Sequence, residues 1–284
     1  MKTQFPKTIG KFTRYDTKPN AIQYGALYTQ EVRTDMPYEK KRILRVYLPE
    51  DFSFDKEYSV IYMSDVQNIV DRYTSAYGEW DIDEHIHNLL LEGYPSFIVV
   101  GIDCPKKGHM HRVREYTIPK FKKINLDFTG PTDINPYGEI YAAYLVNKIM
   151  PEIKATFPIK TDRNSTAFGG SSMGGLLSFD IVSIYKDIFG FSLCFSPACA
   201  LFEEDEYASM LEGREYDLTQ KYYIYCGGKD LDEYLLGASK GLYEYLSSKG
   251  FDENHLALNI DEEAGHNEPS WSKHFEEAIK FWFK

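Results

Sequence analysis

From residue 58 onward the chain alternates short, almost wholly apolar runs with longer segments of helical period. "YSVIYM" (58–63), "SFIVVGID" (96–103), "STAFGG" (165–170), "FGFSLCFSPA" (189–198), "KYYIYCGG" (221–228) and "LALNID" (256–261) are the apolar runs. A run with no polar face suits a strand covered on both sides, and strand, helix, strand implies a right-handed crossover in a parallel sheet. The intervening segments read as helices. "WDIDEHIHNLLLEG" spaces Ile82, Ile86, Leu89 and Leu90 on one face and stops at Gly93, which is a capping signal. "EIYAAYLVNKIMPEI" is a second helix with a predicted kink at Pro151; "GGLLSFDIVSIY", "GASKGLYEYLSSKG" and "WSKHFEEAIKFWF" are further ones. Before residue 58, "ALYTQEVR" and "RILRVYLP" read as strands, whereas 200–218 shows no clear period and reads as a loop. The class is α/β, a mostly parallel central sheet with helices on both faces.

Nothing in the composition divides the chain. Its 284 residues, 43% of them hydrophobic, support a sizeable core, and no Gly/Ser/Pro-rich linker or repeat interrupts them, so residues 1–284 read as a single domain. A formal net charge of −11 disfavours nucleic acid and anionic membrane as partners, leaving a small molecule. The N-terminal "MKTQFPKTIGKFTRYDTK" lacks the apolar run of a signal peptide, and no stretch of 18 apolar residues occurs. A soluble, cytoplasmic protein is the expectation. Cys104, Cys194, Cys199 and Cys226 lack metal-type spacing and read as reduced, mostly buried thiols. The sequence leaves open whether the chain forms a homo-oligomer.

The chemistry-bearing feature is "TAFGGSSMGG" (166–175), at a strand-to-helix junction. Only Ser172 has glycine both two residues before and two after it, the G-x-S-x-G pattern of a nucleophile elbow. Serine needs a base, and the base needs an orienting acid, in the chain order serine, acid, histidine. His255 and His274 fall in a strand and a helix. His266, in "EEAGHNEPSW", lies in a loop just past "LALNID" and is the candidate base. Past "KYYIYCGG", Asp230 stands nearest the glycine turn and is the candidate acid, with Asp232 as runner-up. Two backbone N–H groups must hold the oxyanion. Met173, after the nucleophile, supplies one; Gln67, in the turn "MSDVQNIVD", is chosen for the other, with Val66 next.

With these residues in place the chain resembles the esterase D-like (putative-esterase) family of α/β-hydrolases, which includes feruloyl, acetyl-xylan and siderophore esterases. "VIYMSDVQNIVD", "FIVVGID", "RVREYTIP", "AFGGSSMGGLLS", "SPA" and the Gly265-His266 pair carry the likeness, which runs from about residue 42 to the end. Ser64 and Val66 replace a frequent histidine and glycine of the family's oxyanion turn, and Asp103-Cys104 stands where an asparagine is usual. The resemblance implies an α/β-hydrolase fold and a serine carboxylic-ester hydrolase working through an acyl-enzyme. Its expected substrate is a small ester, with a short acyl, feruloyl-type or acetylated-sugar moiety, and no cofactor is required. It supports Ser172, Asp230 and His266 as triad and Met173 with Gln67 as oxyanion donors. The alternatives are an acyltransferase or peptidase on the same triad, or an idle fold kept as a binding module. Trp271 is expected at the pocket rim as a substrate contact, and Arg112 with Glu115 as an ion pair pinning a loop. The acidic 200–218 segment is expected to cover the site and disfavour anionic substrates. The histidines of "CPKKGHMHR" and "DEHIH", at i, i+2, point apart on a helix, so no metal site is expected.

Overall fold

A computed structural model describes the chain except residues 1–4, 16–20, 76, 107, 119–120, 122 and 127–131; Pro119 of the "RVREYTIP" segment is therefore outside it. The β-rich entry is an antiparallel meander: β1 (Thr8–Ile9), β2 (Phe12–Arg14), β3 (Ala26–Arg33) and β4 (Lys41–Leu48). β4 then pairs antiparallel with β6 (Phe97–Ile102), which lies parallel to β5 (Ser59–Met63). A short hairpin of β7 (Lys123–Ile124) and β8 (Thr132–Asp133) stands apart. The apolar runs continue the large sheet as β9 (Thr166–Ser171), β10 (Phe191–Phe195), β11 (Lys221–Gly227) and β12 (Leu256–Asp261), all parallel. The ten-stranded order is β1-β2-β3-β4-β6-β5-β9-β10-β11-β12. This is the α/β-hydrolase architecture expected from the alternation of strands and helices.

Because successive side chains of a strand face opposite ways, the sheet divides its residues between two cores. Ile61, Met63, Val99, Leu193 and Tyr223 point to one face, under α1 (Ile82–Leu91) and α8 (Glu268–Trp282). Val60, Tyr62, Val100, Phe168 and Ile224 point to the other. There they meet α3 (Gly138–Tyr144), α4 (Met150–Thr156), α5 (Met173–Ile184) and α7 (Asp232–Ser248), while α2 (His109–Glu115) adds Val113 to the same core.

Two segments differ from the sequence expectation. The kink at Pro151 takes the form of a π-helical turn over Leu145–Ile149, after which Pro151 sits in the first turn of α4. Proline has no N–H and its ring crowds the carbonyl four residues back, so a wider turn relieves the clash. The segment read as a loop contains α6 (Glu204–Glu212), which buries Tyr207 and Leu211. Its period is short and weak, but Glu204, Asp205 and Glu206 fill its first turn, where carboxylates offset the helix dipole.

Candidate active site

Four parallel strands turn at their carboxyl ends through a non-glycine residue with positive φ: Asp65 after β5, Ser172 after β9, Ser196 after β10 and Asp230 after β11. Such conformations cost of order 1–3 kcal/mol each and persist only where surroundings enforce them. The site assembles along this line of strained turns.

Ser172 joins β9 to α5 with φ 60° and ψ −125°. Its N–H donates to the Phe195 carbonyl at 2.9 Å, tying the elbow to the end of β10. A Cβ on Gly170 would lie 2.1 Å from Ser64 Oγ and 2.8 Å from the Gly174 backbone, and one on Gly174 would meet Ser64 Oγ at 2.1 Å. A side chain on Gly170 would therefore run into backbone, and one on Gly174 into the Ser64 hydroxyl. The Met173 N–H, first in α5, has no hydrogen-bond partner among the described residues.

His266 lies in the loop after β12, as expected. Its Nδ1 is 2.6 Å from Oδ1 of Asp232, which corrects the choice of Asp230 as its partner. Asp230 is exposed in a left-handed turn, with its Oδ2 against Gly265. Asp232 is fully buried in the first turn of α7. The helix was read as starting at Gly237; it starts at Asp232, and so turns that carboxylate inward. Its second oxygen accepts from Ser196 Oγ (2.8 Å) and from the Gly227 N–H (2.9 Å). A buried carboxylate with its lone pairs so occupied is held in one orientation.

Trp271 is not at a rim. It is 4% exposed, its indole N–H donates to Ser196 Oγ at 2.9 Å, and its ring meets His266 edge-on at 5.0 Å. Its place in the first turns of α8, stacked on Trp80, faces the core rather than solvent. Ser196 was known from sequence only as part of "SPA"; its role as the bridge between Trp271 and Asp232 had no local signal.

The turn after β5 forms a 3-10 helix, Val66–Asn68, and its positive φ falls on Asp65, leaving the β-branched Val66 in a right-handed turn. The Gln67 N–H has no hydrogen-bond partner among the described residues. The Gln67 side chain reaches across to the end of β6: Oε1 accepts from the Cys104 N–H at 3.0 Å and Nε2 donates to Cys104 Sγ at 3.3 Å. Burial pushes the Cys104 thiol up to about 12, so it stays protonated. Arg112 of α2 grips Asp65, Nε to Oδ1 at 3.0 Å and Nη2 to Oδ2 at 2.7 Å, and its Nη2 also reaches the Ser171 carbonyl at 3.4 Å. Arg112 and Glu115 thus each make a structural ion pair, but with other partners: Glu115 binds Arg42 at 2.7 Å. Asp103 is engaged by Arg45 through two bonds, at 2.5 and 2.9 Å. Asn68 donates to Glu268 at 2.7 Å, joining the turn after β5 to the first residue of α8, just past His266; burial holds the Glu268 carboxyl above its ordinary range.

Comparison with known proteins places this geometry in context. A family model described as Putative esterase matches residues 37–280. An uncharacterized protein YbbA of Bacillus subtilis (strain 168) is 24% identical over 253 residues, covering 85% of this chain and 92% of that one. Among solved structures, a ferulic acid esterase from Anaeromyces mucronatus, AmCE1/Fae1A, superposes with a TM-score of 0.64 at 23% identity over 97% of each chain. The siderophore hydrolase EstA from Aspergillus nidulans gives a TM-score of 0.70 at 14% identity, covering 95% of this chain and 97% of that one. Likeness at these identities is likeness of fold. Among the described residues no helix is long and apolar enough to cross a membrane.

Proposed function

Because the chain belongs to the Putative esterase family and is a carboxylic ester hydrolase, we propose that it works as a serine esterase with Ser172 as nucleophile, His266 as base and Asp232 as orienting acid. The observation that carries this reading is the 2.6 Å bond from His266 Nδ1 to the buried Asp232. With Nδ1 committed to a carboxylate, the ring presents Nε2 as the acceptor for a serine proton, and the carboxylate stabilises the imidazolium that forms.

Ser172 Oγ attacks the acyl carbon while His266 takes its proton. The N–H groups of Met173 and Gln67, both without a hydrogen-bond partner among the described residues, face the developing oxyanion. Collapse of the tetrahedral intermediate expels the alcohol, which takes the proton back from His266. Water activated by the same imidazole then releases the acid. The substrate is a small ester of the short-acyl, feruloyl or acetylated-sugar type.

Initial rates on p-nitrophenyl esters of increasing chain length and on methyl ferulate, with Ser172→Ala beside the wild type, test the reading. Loss of about 10⁶-fold in kcat on the substitution is expected. A variant that keeps wild-type turnover removes Ser172 from the chemistry.

A further inference from the structure

The Gln67 N–H and the His266 ring come from distant strands. Gln67 follows β5 and His266 follows β12. In the order β5-β9-β10-β11-β12 those strands stand four spacings apart, roughly 19 Å at ~4.8 Å each, so the sheet does not set the distance between the two groups. The Cys104 bonds hold Gln67 toward β6, and the Asp232 bond holds His266 toward β11. Neither ties one group to the other.

Asn68 and Glu268 close that gap. Asn68 follows Gln67 as the last residue of the 3-10 turn, and Glu268, two residues past His266, opens α8. Both are buried, and they meet through Nδ2 to Oε1 at 2.7 Å. The Asn68 carbonyl also accepts from the Trp80 N–H at 3.0 Å, and the Trp80 ring stacks on Trp271, which meets His266 edge-on. Asn68 is thus joined to the base by its side chain and by its backbone. The chain between Asn68 and Trp80 presses on the same segment: a Cβ on Gly78 would lie 2.7 Å from Pro269 Cδ.

Holding two loops together does not require a buried carboxylate. Burial, with Asp65 nearby, holds the Glu268 carboxyl above its ordinary range, and apolar residues of similar volume often serve stability as well as a desolvated charge or better. What an apolar contact lacks is direction. A hydrogen bond to a carboxylate fixes distance and angle together. We propose that Asn68 and Glu268 are a positioning pair, setting the Gln67 N–H and the His266 ring at the separation that one tetrahedral intermediate at Ser172 needs. The inference rests on the esterase reading, in which both groups serve that intermediate.

Exchange of donor and acceptor tests it on the full chain. Asn68→Asp sets carboxylate against carboxylate, and Glu268→Gln turns an amide toward the Asn68 amide. The two substitutions together restore one N–H donor facing one carboxylate, with the direction reversed and the shapes kept. On a hydrolysed p-nitrophenyl ester each single variant should lose about thirtyfold in kcat with KM within about twofold, a part of the ~100- to 1,000-fold that an oxyanion donor supplies. The double variant should recover to within about threefold of wild type, since the bond itself is remade. Relaxation dispersion at the Gln67 amide nitrogen needs no turnover: exchange should appear in each single variant and vanish in the double one. Undiminished kcat in the single variants, a loss carried by KM, or a double variant no better than either single overturns the proposal. So does a pair that serves packing alone, which would lower the urea midpoint and leave kcat and the Gln67 amide unchanged. If the wild type hydrolyses no ester, the esterase reading falls, and the dispersion profiles alone decide whether the pair sets the Gln67 N–H.

Discussion

His266 Nδ1 lies 2.6 Å from Asp232 Oδ1, while Asp230, two residues closer to the end of β11, is exposed in a left-handed turn. The two carboxylates therefore make opposite predictions. Asp232→Asn presents an amide to the imidazole and favours the wrong tautomer, so kcat should fall by about 10⁴-fold. Asp230→Asn, which keeps a residue tolerant of positive φ, should stay within about twofold of wild type, since it removes only a solvated charge. Steady-state kinetics on any hydrolysed p-nitrophenyl ester decide between them, and the reverse pattern would return the acid's role to Asp230.

The fold was readable because periodicity reports burial. All-apolar runs mark strands covered on both faces, and β5, β6 and β9 to β12 appear where those runs lie. The elbow was readable because a side chain on Gly170 would collide with the Gly174 backbone and one on either glycine with Ser64. The carboxylate that partners His266 was not, because choosing between two carboxylates two positions apart requires the first residue of α7, and helix starts without a side-chain cap leave little trace; Leu231 caps α7 with no side-chain bond. Trp271 was misplaced for a related reason. Proximity in sequence to His266 does not say whether a helical residue faces the core, and here the partner that draws its indole inward, Ser196, is 75 residues away.

Gln67 makes a second prediction, because its side chain braces the turn that carries its own N–H. Its amide makes two bonds to Cys104, at 3.0 and 3.3 Å, and these fix the 3-10 turn that presents the N–H. An oxyanion donor is worth ~100- to 1,000-fold in rate, and Gln67→Ala, by loosening the turn without deleting the donor, should cost a part of that, about tenfold. The loss should appear in kcat with KM little changed. A variant with unaltered kcat would show that the turn's other ties, Arg112 on Asp65 and Asn68 on Glu268, suffice to hold it.

Ser196 couples Trp271 to Asp232. Ser196→Ala removes a donor from a buried carboxylate, and since a hydrogen bond to a charged group is worth ~1.5–3 kcal/mol, kcat should drop by at least tenfold, with the acid limb of the pH–rate profile displaced. Trp271→Phe leaves the Ser196 hydroxyl on Asp232 and should lower kcat far less. If both variants lose stability but neither shifts the pH profile, the bridge serves packing alone.

The Arg112–Asp65 pair is partly buried, the side chains being 18% and 11% exposed. Arg112→Met strands a carboxylate under the oxyanion turn and should cost roughly 3 kcal/mol of unfolding free energy in urea titrations, the low end for a broken buried pair. Arg112→Lys should not restore it, because one ammonium cannot reproduce the fork that holds both oxygens of Asp65 and reaches Ser171. Full rescue by lysine would mean that charge alone, rather than geometry, keeps the turn closed.

Glu79 supplies a pH test. Burial, with Asp81 and Glu84 nearby, pushes its carboxyl up to about 7, and its Oε2 is buried without a hydrogen-bond partner among the described residues. The native state thus favours the protonated form, whereas the unfolded chain ionises near the ordinary value of ~4.3. The stability this group contributes is full below that value and is lost as pH rises through 7, where the native carboxyl must also ionise. Glu79→Gln fixes the neutral form in nearly the same shape. The Tm of the variant minus that of the wild type should therefore grow from pH 4 to pH 7 and level off above, other titrating groups cancelling in the difference. A gap that is flat across that range, or that narrows with rising pH, would place Glu79 in an environment where its charge is already matched.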